Sequence, residues 1–314
     1  MTKYIARRIV FLGLTILVTS LIIFIVTQLL PGDVARVVLG REAGEAALAA
    51  FREENGLNDP LPLQYARWLG SFVVGDWGTS LSTRSEVFPV VTERLGNSLL
   101  LTFLTMLIAV PLALALGIIA GLNEDGVTDN AISIGSLAVV GLPEFVTGLV
   151  LIQIFSRWLG WLPANSSIEP GLTFMEKLPM LILPAFTATL VLLAYIVRLT
   201  RAGVVEELKR PYVRTAILKG LPYRAVIIKH VLRNALLPTI TVIAISFGWL
   251  ISGLIVIENV FNYPGLGRLL VFAIDRQDLP LVQAVAMVTV IGFAVANLAA
   301  DLIYAWLNPR IRLD

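Results

Sequence analysis

The sequence contains no cysteine and a single histidine, His230, among its 314 residues. Without cysteine the chain forms no disulfides, iron–sulfur clusters or thiolate metal sites. His230 lies in a basic, amphipathic segment. We therefore interpret it as an interfacial or structural residue rather than a member of a metalloenzyme site or a catalytic triad.

A nucleotide-binding motif is also missing. No G-x-x-x-x-G-K-[ST] sequence occurs, and Lys219 and Gly220 stand in the reverse order. We therefore expect a chain that is not itself an enzyme, with no catalytic residue, no metal site and no bound cofactor. If the process it serves consumes ATP and Mg²⁺, separate ATPase subunits must use them.

Charged residues are scarce. They make up 15% of the chain against 57% hydrophobic residues, whereas soluble domains average about 25% charged residues. Six apolar runs are each near or above the roughly 20 residues that a helix needs to cross about 30 Å of hydrocarbon. Lipid offers no partner to unpaired backbone groups, so we predict an all-α membrane protein with six transmembrane helices. The runs are 9–30, 98–121, 131–155, 178–197, 236–257 and 282–307.

The apolar runs divide the chain into three predicted parts. Residues 1–30 form the N-terminal end and the first span, which is too long for a cleaved signal sequence. Residues 31–97 form a long loop, and its Trp and Tyr residues suggest a small folded or membrane-hugging element. Residues 98–314 form a core with spans two to six, and this core includes a basic loop at 198–235.

The basic residues predict the orientation. With six spans, the side that holds both termini carries 14 Lys and Arg residues and the other side carries 10. Loop 198–235 has nine basic and two acidic residues, whereas loop 31–97 has six basic and nine acidic residues. The positive-inside rule therefore predicts cytoplasmic termini, with 31–97 outside. The loop after the second run, GLNEDGVTDN, disagrees because it is acidic and contains no Lys or Arg.

The proline and glycine residues of the basic loop predict two short helices. Pro211 stands at a natural helix start, Gly220 ends the segment YVRTAILK, and Pro222 begins PYRAVIIKHVLRNAL. The second segment is amphipathic, so it suits either an anionic lipid surface or a protein partner. The first segment is only about eight residues long, and a helix of that length needs something to pack against.

This stretch resembles the EAA loop of ABC importer permeases, whose short coupling helix inserts into a cleft on an ATPase subunit. Arg214, Thr215 and Ala216 stand at the E-A-A positions, Gly220 at the glycine, and Leu237–Pro238 at the closing L-P. The missing Glu and the longer spacing are typical of the dipeptide/oligopeptide (peptide/nickel) branch. The resemblance implies an ATPase-coupling role for Tyr212, Arg214, Thr215, Ala216, Lys219 and Gly220.

The resemblance continues along nearly the whole chain. The matching motifs are LPGD (30–33), GLNDPLPLQYARWL (56–69), GDWGTS (75–80), GLP (141–143), ENVFNYPGLGRLL (258–270) and NPRIR (308–312). They imply a type I ABC importer permease fold in a bacterial or archaeal inner membrane, and no nucleic acid partner. The implied partners are a second homologous permease, two ATPase subunits and an extracytoplasmic solute-binding protein that docks on 31–97 and 258–281.

The function expected from this resemblance is import of di- or oligopeptides by alternating access. Relatives of this branch also import nickel chelates, glutathione or oligosaccharides, so these remain alternatives. A different class, a self-sufficient proton-coupled transporter, would favour ionisable residues deep in several spans. Of the intramembrane acids, we expect Asp301 to be paired or to snorkel, and Glu144 to face an aqueous path. Four small residues of the fifth run are further candidates for the pore or the partner permease: Ser246, Gly248, Ser252 and Gly253.

Overall fold

The computed structural model describes residues 2–28, 34–39, 42–54, 56, 58–168 and 171–307. The motifs at 30–33 and 308–312, and Leu57 within a third motif, lie outside these residues. The described part is an all-α membrane protein, and its only β pairing is an isolated bridge between Thr79 and Glu86. The predicted fold class is confirmed at this level.

The helices follow one another along the chain, and two of them are continued by a π-helical segment. They are α1 (Thr2–Gln28), α2 (Val34–Leu39), α3 (Glu45–Glu54), α4 (Leu61–Val73), α5 (Val87–Leu122), α6 (Val127–Val140), α7 (Glu144–Leu151, then π Ile152–Trp158), α8 (Phe174–Leu208), α9 (Pro211–Leu218), α10 (Tyr223–Val226, then π Ile227–Val231), α11 (Leu232–Ala235), α12 (Leu237–Gly253), α13 (Ile255–Val260), α14 (Leu266–Asp275) and α15 (Leu279–Leu307).

Four helices of the described chain, α1, α5, α8 and α15, are long and apolar enough to cross a membrane. Two bent pairs bring the number to six if each pair is one span: α6 with α7, bent by 102°, and α10–α11 with α12, bent by 51°. The third apolar run is therefore not one straight helix. Its break falls at Gly141–Pro143, because proline lacks the N–H that would continue α6 and holds the preceding residue out of the helical region.

The two longest helices, α5 and α8, pack along each other in the same direction. A Cβ atom on Gly117 would lie 2.6 Å from Thr200 Cβ, and one on Gly121 would lie 2.8 Å from Val204 Cβ. Only glycine lets the helices come this close, as small residues do at helix contacts in membranes. With 36 residues, α5 is about 54 Å long and extends well beyond the hydrocarbon.

Helices α1 and α15 pack side by side in opposite directions. Gln283 Nε2 donates to Thr27 Oγ1 at 2.8 Å near one end, and Arg8 Nη1 lies 2.8 Å from Asp301 Oδ2 near the other. The expectation that Asp301 is paired is therefore confirmed. The pair is about one-third exposed, so its main role is to fix how the first and last helices align rather than to add much stability.

The segment between α1 and α5 is folded, as its aromatic pattern indicates. Tyr65 and Trp68 of α4 pack on Phe24 of α1 with ring centroids 5.5 and 5.8 Å apart. The row of aromatic contacts continues through Phe72 and Trp77, whose rings are stacked with centroids 4.9 Å apart. These contacts hold α4 against the bundle.

Hydrogen bonds to one carboxylate hold the loop between α4 and α5 against the start of α15. Asp278 is fully buried, and its Oδ2 accepts hydrogen bonds from Ser80 Oγ (2.5 Å), Ser82 Oγ (2.7 Å) and Ser82 N (3.0 Å). Burial acts to raise the pKa of Asp278, but the hydrogen bonds from Ser80 and Ser82 outweigh it and leave this pKa below its usual value.

This geometry gives the protein a defined acid sensitivity. A carboxyl whose pKa is lowered by folding stabilises the fold above its unfolded pKa of about 3.9, and this stability is lost as the pH falls further. We expect Asp278→Asn to unfold at a lower temperature than the parent at pH 7. The difference should shrink as the pH is lowered from 5 to 3 in a thermal unfolding series. A difference that stays constant over this range would contradict the assignment.

Candidate functional site

The basic loop folds into an elbow, defined here as residues 211–235. Its first arm, α9, begins at Pro211 and ends in a turn at Gly220, where φ is +79°. Gly220 N donates to Ile217 O at 2.9 Å and Leu221 N to Ala216 O at 3.3 Å, which is the Schellman pattern of helix termination. The two helices predicted from the proline and glycine positions are confirmed, although a π-helical turn interrupts the second.

The inner side of the elbow is anchored on α8. Val213, Val226 and Val231 are buried together with Val204 of α8. At Gly203 of α8, a Cβ atom would lie 2.4 Å from the backbone oxygen of Ala235, so only glycine allows this contact. The elbow therefore cannot move far without moving α8, which runs through the centre of the bundle.

The outer side of the elbow is apolar and cationic. Leu218 is 78% exposed, and its neighbours Ile217, Leu221 and Tyr223 are also exposed. Arg214, Lys219 and Arg224 are exposed around them, and so is Thr215, whereas Ala216 is half-buried. Contiguous exposed apolar side chains with a polar rim mark a binding surface.

Tyr212 faces the protein rather than this outer surface. Its hydroxyl donates to Glu207 Oε2 at 2.5 Å and accepts from Asn234 Nδ2 at 3.3 Å, so it joins α8, α9 and α11. Burial is the main reason that the pKa of Tyr212 is raised, and the bond to Glu207 adds to it. The sequence motif does not distinguish this positioning role from direct contact with a partner.

Ion pairs explain why the loop after α5 is acidic. Arg201 of α8 makes two bonds of 2.5 Å to the buried carboxylate of Asp129, and Lys209 Nζ lies 2.7 Å from Glu124 Oε1. Asp125 N also donates to Asp129 at 2.9 Å. The acidic residues that disagree with the positive-inside rule therefore neutralise basic residues at the end of α8, and both loops lie at the same end of the bundle.

Glu144 lies at the break between α6 and α7, where it is the first residue of α7. It lines a cavity of about 280 Å³ with Thr147, Leu190 and Trp249. No described residue forms a hydrogen bond or ion pair with its carboxylate. The bend therefore presents an acid without a partner among the described residues to a cavity between α6, α7, α8 and α12.

We call the surface formed by Glu144 of α7, Tyr195 of α8 and Ile245 and Trp249 of α12 the open face. Tyr195, Ile245 and Trp249 are exposed there, and Ser246 lines a cavity of about 300 Å³ between them. The sequence reasoning missed Tyr195 and Trp249, because exposed aromatic residues in an apolar run look like lipid-facing or core residues.

The other small residues of α12 lie elsewhere. A Cβ on Gly248 would be 3.2 Å from Ala296 Cβ, so this position packs against α15 of the same chain. Ser252 Oγ bonds the backbone oxygen of Gly248 in its own helix at 3.3 Å, and a Cβ on Gly253 would meet the ring of Trp249 at 3.3 Å. Of the four small residues, Ser246 is the one that lines the cavity on the open face.

The motif at 258–270 forms a buried, hydrogen-bonded cluster rather than an open loop. We call this cluster the knot, although the chain is not threaded through itself. Glu258 is 1% exposed, and its carboxylate accepts from Ser98 Oγ at 2.6 Å and from Arg268 N at 3.0 Å. A Cβ on Gly265 would lie 2.1 Å from Glu258 Oε1, so the backbone closes directly over the acid. Tyr263 is fully buried as well, and its hydroxyl donates to Asn97 O at 2.7 Å.

This burial corrects the expectation that all of 258–281 forms a docking surface. The exposed residues of this stretch are Asn259, Phe272 and 274–277. The rest joins α5, α13 and α14 within the chain. Burial raises the pKa of Glu258, even though hydrogen bonds and Arg94 act to lower it. No local sequence pattern indicates this buried acid, because its partner Ser98 is 160 residues away.

Comparison with known proteins gives two family matches that together cover nearly the whole chain. Residues 113–313 match the model of the binding-protein-dependent transport system inner membrane component, and residues 1–102 match the N-terminal model of the same kind of membrane component. The elbow and the knot at 258–270 both lie in the first of these matches.

Individual relatives align from end to end. The chain is 39% identical over 315 residues to the glutathione transport system permease protein of Pectobacterium atrosepticum, with 99% of each chain covered. It is 37% identical over 316 residues to a probable peptide ABC transporter permease protein of Sinorhizobium fredii, with 99% of this chain and 100% of the relative covered. The Escherichia coli K12 glutathione permease is 36% identical over 312 residues. The chain therefore belongs to the family of binding-protein-dependent transport system inner membrane components.

Proposed function

We propose that this chain imports short peptides or the tripeptide glutathione as one half of a pore, with the elbow as its contact to an ATPase. It is a multi-pass inner-membrane protein and a pore-forming permease subunit of an ABC importer. Its relatives are named for glutathione and for peptides, so a peptide-class solute is the best-supported substrate. Nickel chelates and oligosaccharides are the alternative substrates.

The proposed topology has six spans, cytoplasmic termini and residues 31–97 outside. Helices α5 and α15 start side by side, where Asp278 holds the loop before α5. They therefore run in the same direction, and α15 ends towards the elbow. Arg8 pairs with Asp301 near the end of α15, which supports a start of α1 on the same side. The loop 198–235, which contains the elbow, carries nine of the 14 basic residues assigned to this end, and this supports its cytoplasmic location.

The observation that carries the coupling proposal is the outer face of the elbow. A short helix held by a glycine turn presents Leu218 to solvent among three cations, while its opposite face is fixed to α8. We assign this face to the ATPase cleft, with Arg214, Thr215 and Lys219 at the contact. Ala216, Gly220 and Tyr212 hold the shape of the elbow. ATP and Mg²⁺ bind to the ATPase subunits and not to this chain.

The proposed pore lies along the open face of α7, α8 and α12. A second homologous permease closes this face, and a solute-binding protein delivers the solute from outside. Closure of the ATPase dimer moves the elbow and α8, and the pore then changes between outward-open and inward-open states. Glu144 and Trp249 line the path at the bend between α6 and α7.

Reconstitution into vesicles separates this function from a self-sufficient, proton-coupled transporter. We expect no uptake by the chain alone, with or without a proton gradient. ATP-dependent uptake of a labelled peptide or of glutathione should appear only with the second permease, the ATPases and the binding protein present. Uptake by the chain alone would contradict the proposal.

The elbow turn provides a second test in the same vesicles. Gly220→Val forces a β-branched residue into the left-handed region, which costs about 1 to 2 kcal/mol and disfavours the turn. We expect uptake to fall by roughly tenfold or more per ATP hydrolysed. Gly160→Val is the matched control, because Gly160 also has a positive φ (+63°) and open space around it but lies far from the elbow in the chain. An equal loss in both variants would contradict a role of this turn in coupling.

A further inference from the structure

A cavity of about 330 Å³ lies beside the buried knot, between the loop before α5, the first turns of α5, and α14. Two guanidinium groups, those of Arg94 and Arg268, line it. The hydroxyls of Ser80, Thr83 and Ser85 line the opposite loop. The cavity thus combines two fixed positive charges with hydroxyl groups.

Neither Arg94 nor Arg268 forms an ion pair with a described residue, although the charge of Arg94 also acts on the nearby carboxyl of Glu258. Nε of Arg94 is buried and has no hydrogen-bond partner among the described residues. The Arg268 side chain donates to a backbone oxygen, that of Asn262, at 2.8 Å. The oxygens of Glu258 are already engaged by Ser98 Oγ and Arg268 N. A buried guanidinium N–H without a partner is costly, so this cavity favours an anion.

The position of the cavity relative to the membrane and its apolar wall indicate which kind of molecule contains the bound anion. Arg94 precedes Ser98, where the second apolar run starts, by four residues or about 6 Å along the helix. This is the level of the lipid headgroups on the side opposite the elbow, which is the outer side in the proposed topology. Val90, Leu269 and Phe272 form an apolar wall next to the two cations. Guanidinium groups bind phosphate oxygens through paired N–H donors.

We propose that Arg94 and Arg268 bind a phosphate group in this cavity. Its source is either the headgroup of an anionic phospholipid or free phosphate, and the chemistry of recognition is the same for both. Arg94 Nε supplies a donor, and Arg268 supplies a second positive charge. The phosphate joins α5, α14 and the loop before α5, and so stabilises the outer ends of these elements.

The test compares the complete transporter complex with one that carries Arg94→Gln. Delipidated complexes are returned to nanodiscs of phosphatidylcholine with or without phosphatidylglycerol, and native mass spectrometry counts the retained anionic lipid. Thermal unfolding with inorganic phosphate, against chloride at matched ionic strength, tests free phosphate. Arg157→Gln is the control, since Arg157 is an exposed cation on the outer side of the proposed topology and does not line the cavity.

We expect Arg94→Gln to weaken binding by roughly tenfold or more, because a hydrogen bond to a charged group is lost. If the parent complex retains phosphatidylglycerol but inorganic phosphate does not change its thermal unfolding, the bound group is a lipid headgroup. If inorganic phosphate changes the thermal unfolding of the parent complex and phosphatidylglycerol is not retained, the bound group is a free phosphate ion. The proposal is overturned if neither probe distinguishes the parent from Arg94→Gln, or if Arg157→Gln gives the same loss. The binding readouts need no transport, so this result stands apart from the proposed import function.

Discussion

Leu218→Asp is expected to abolish ATP-dependent uptake and to release the ATPase subunits from the complex. Leu218 is 78% exposed on α9 in the isolated chain, so an aspartate there costs the fold little. In the assembled transporter the same position is expected to be buried in an ATPase cleft. Burying an unpaired carboxylate in an apolar contact costs several kcal/mol, or roughly a thousandfold in affinity.

Val127→Asp is the matched control for this experiment. Val127 is 88% exposed at the start of α6, at the same end of the bundle, and the same substitution there adds the same charge. Affinity purification through this chain, followed by quantification of the ATPases, should give near-complete loss for Leu218→Asp and full recovery for Val127→Asp. Full recovery of the ATPases with both variants would contradict the assigned contact.

Glu258→Ala is expected to unfold the end of the bundle opposite the elbow. It removes the acceptor of Ser98 Oγ and of Arg268 N, and it leaves a space that Gly265 and Gly267 cannot fill. Each buried donor left without a partner costs about 1 to 3 kcal/mol, so we expect a loss of about 3 kcal/mol or more. The yield of monodisperse protein in mild detergent and its thermal unfolding measure this loss.

Two further variants show whether the hydrogen bonds of Glu258 or the removal of an acid cause the effect. Glu93→Ala removes an exposed acid of α5, five residues before Ser98 in the chain, and we expect it to be close to neutral. Glu258→Gln keeps one oxygen acceptor and the side-chain volume, so we expect an intermediate loss. If Glu258→Ala were as stable as Glu93→Ala, the buried knot would not hold these helices together.

The local shape of the elbow was predictable from the sequence because single residues determine it. Proline fixes the start of α9, and glycine alone takes the positive φ at its end without strain. The apolar runs likewise predicted the helices, because lipid requires length and hydrophobicity above all. The aromatic residues at 65–77 indicated a folded segment for the same kind of reason: side chains of that size need a surface to cover.

The distant contacts of the chain were not predictable in this way. Ser98 and Glu258 are 160 residues apart, and no local pattern indicates that they meet. The acidic loop after α5 disagrees with the positive-inside rule, and its partners Arg201 and Lys209 are 72 and 85 residues away from the acids that they bind. The bend at Gly141–Pro143 was visible as a motif, but its angle depends on the packing of α7 against α8 and α13.

Because the chain contains no cysteine, a single one can be placed without removing others. The most direct measurement is therefore cross-linking of Leu218→Cys to the ATPase subunits in the assembled transporter, with Val127→Cys as the control. We expect a strong cross-link from position 218 that weakens when ATP changes the state of the ATPases, and none from position 127. The assigned contact would be contradicted if the cysteine introduced at position 218 stayed accessible to a soluble thiol reagent in the full complex and formed no cross-link to an ATPase.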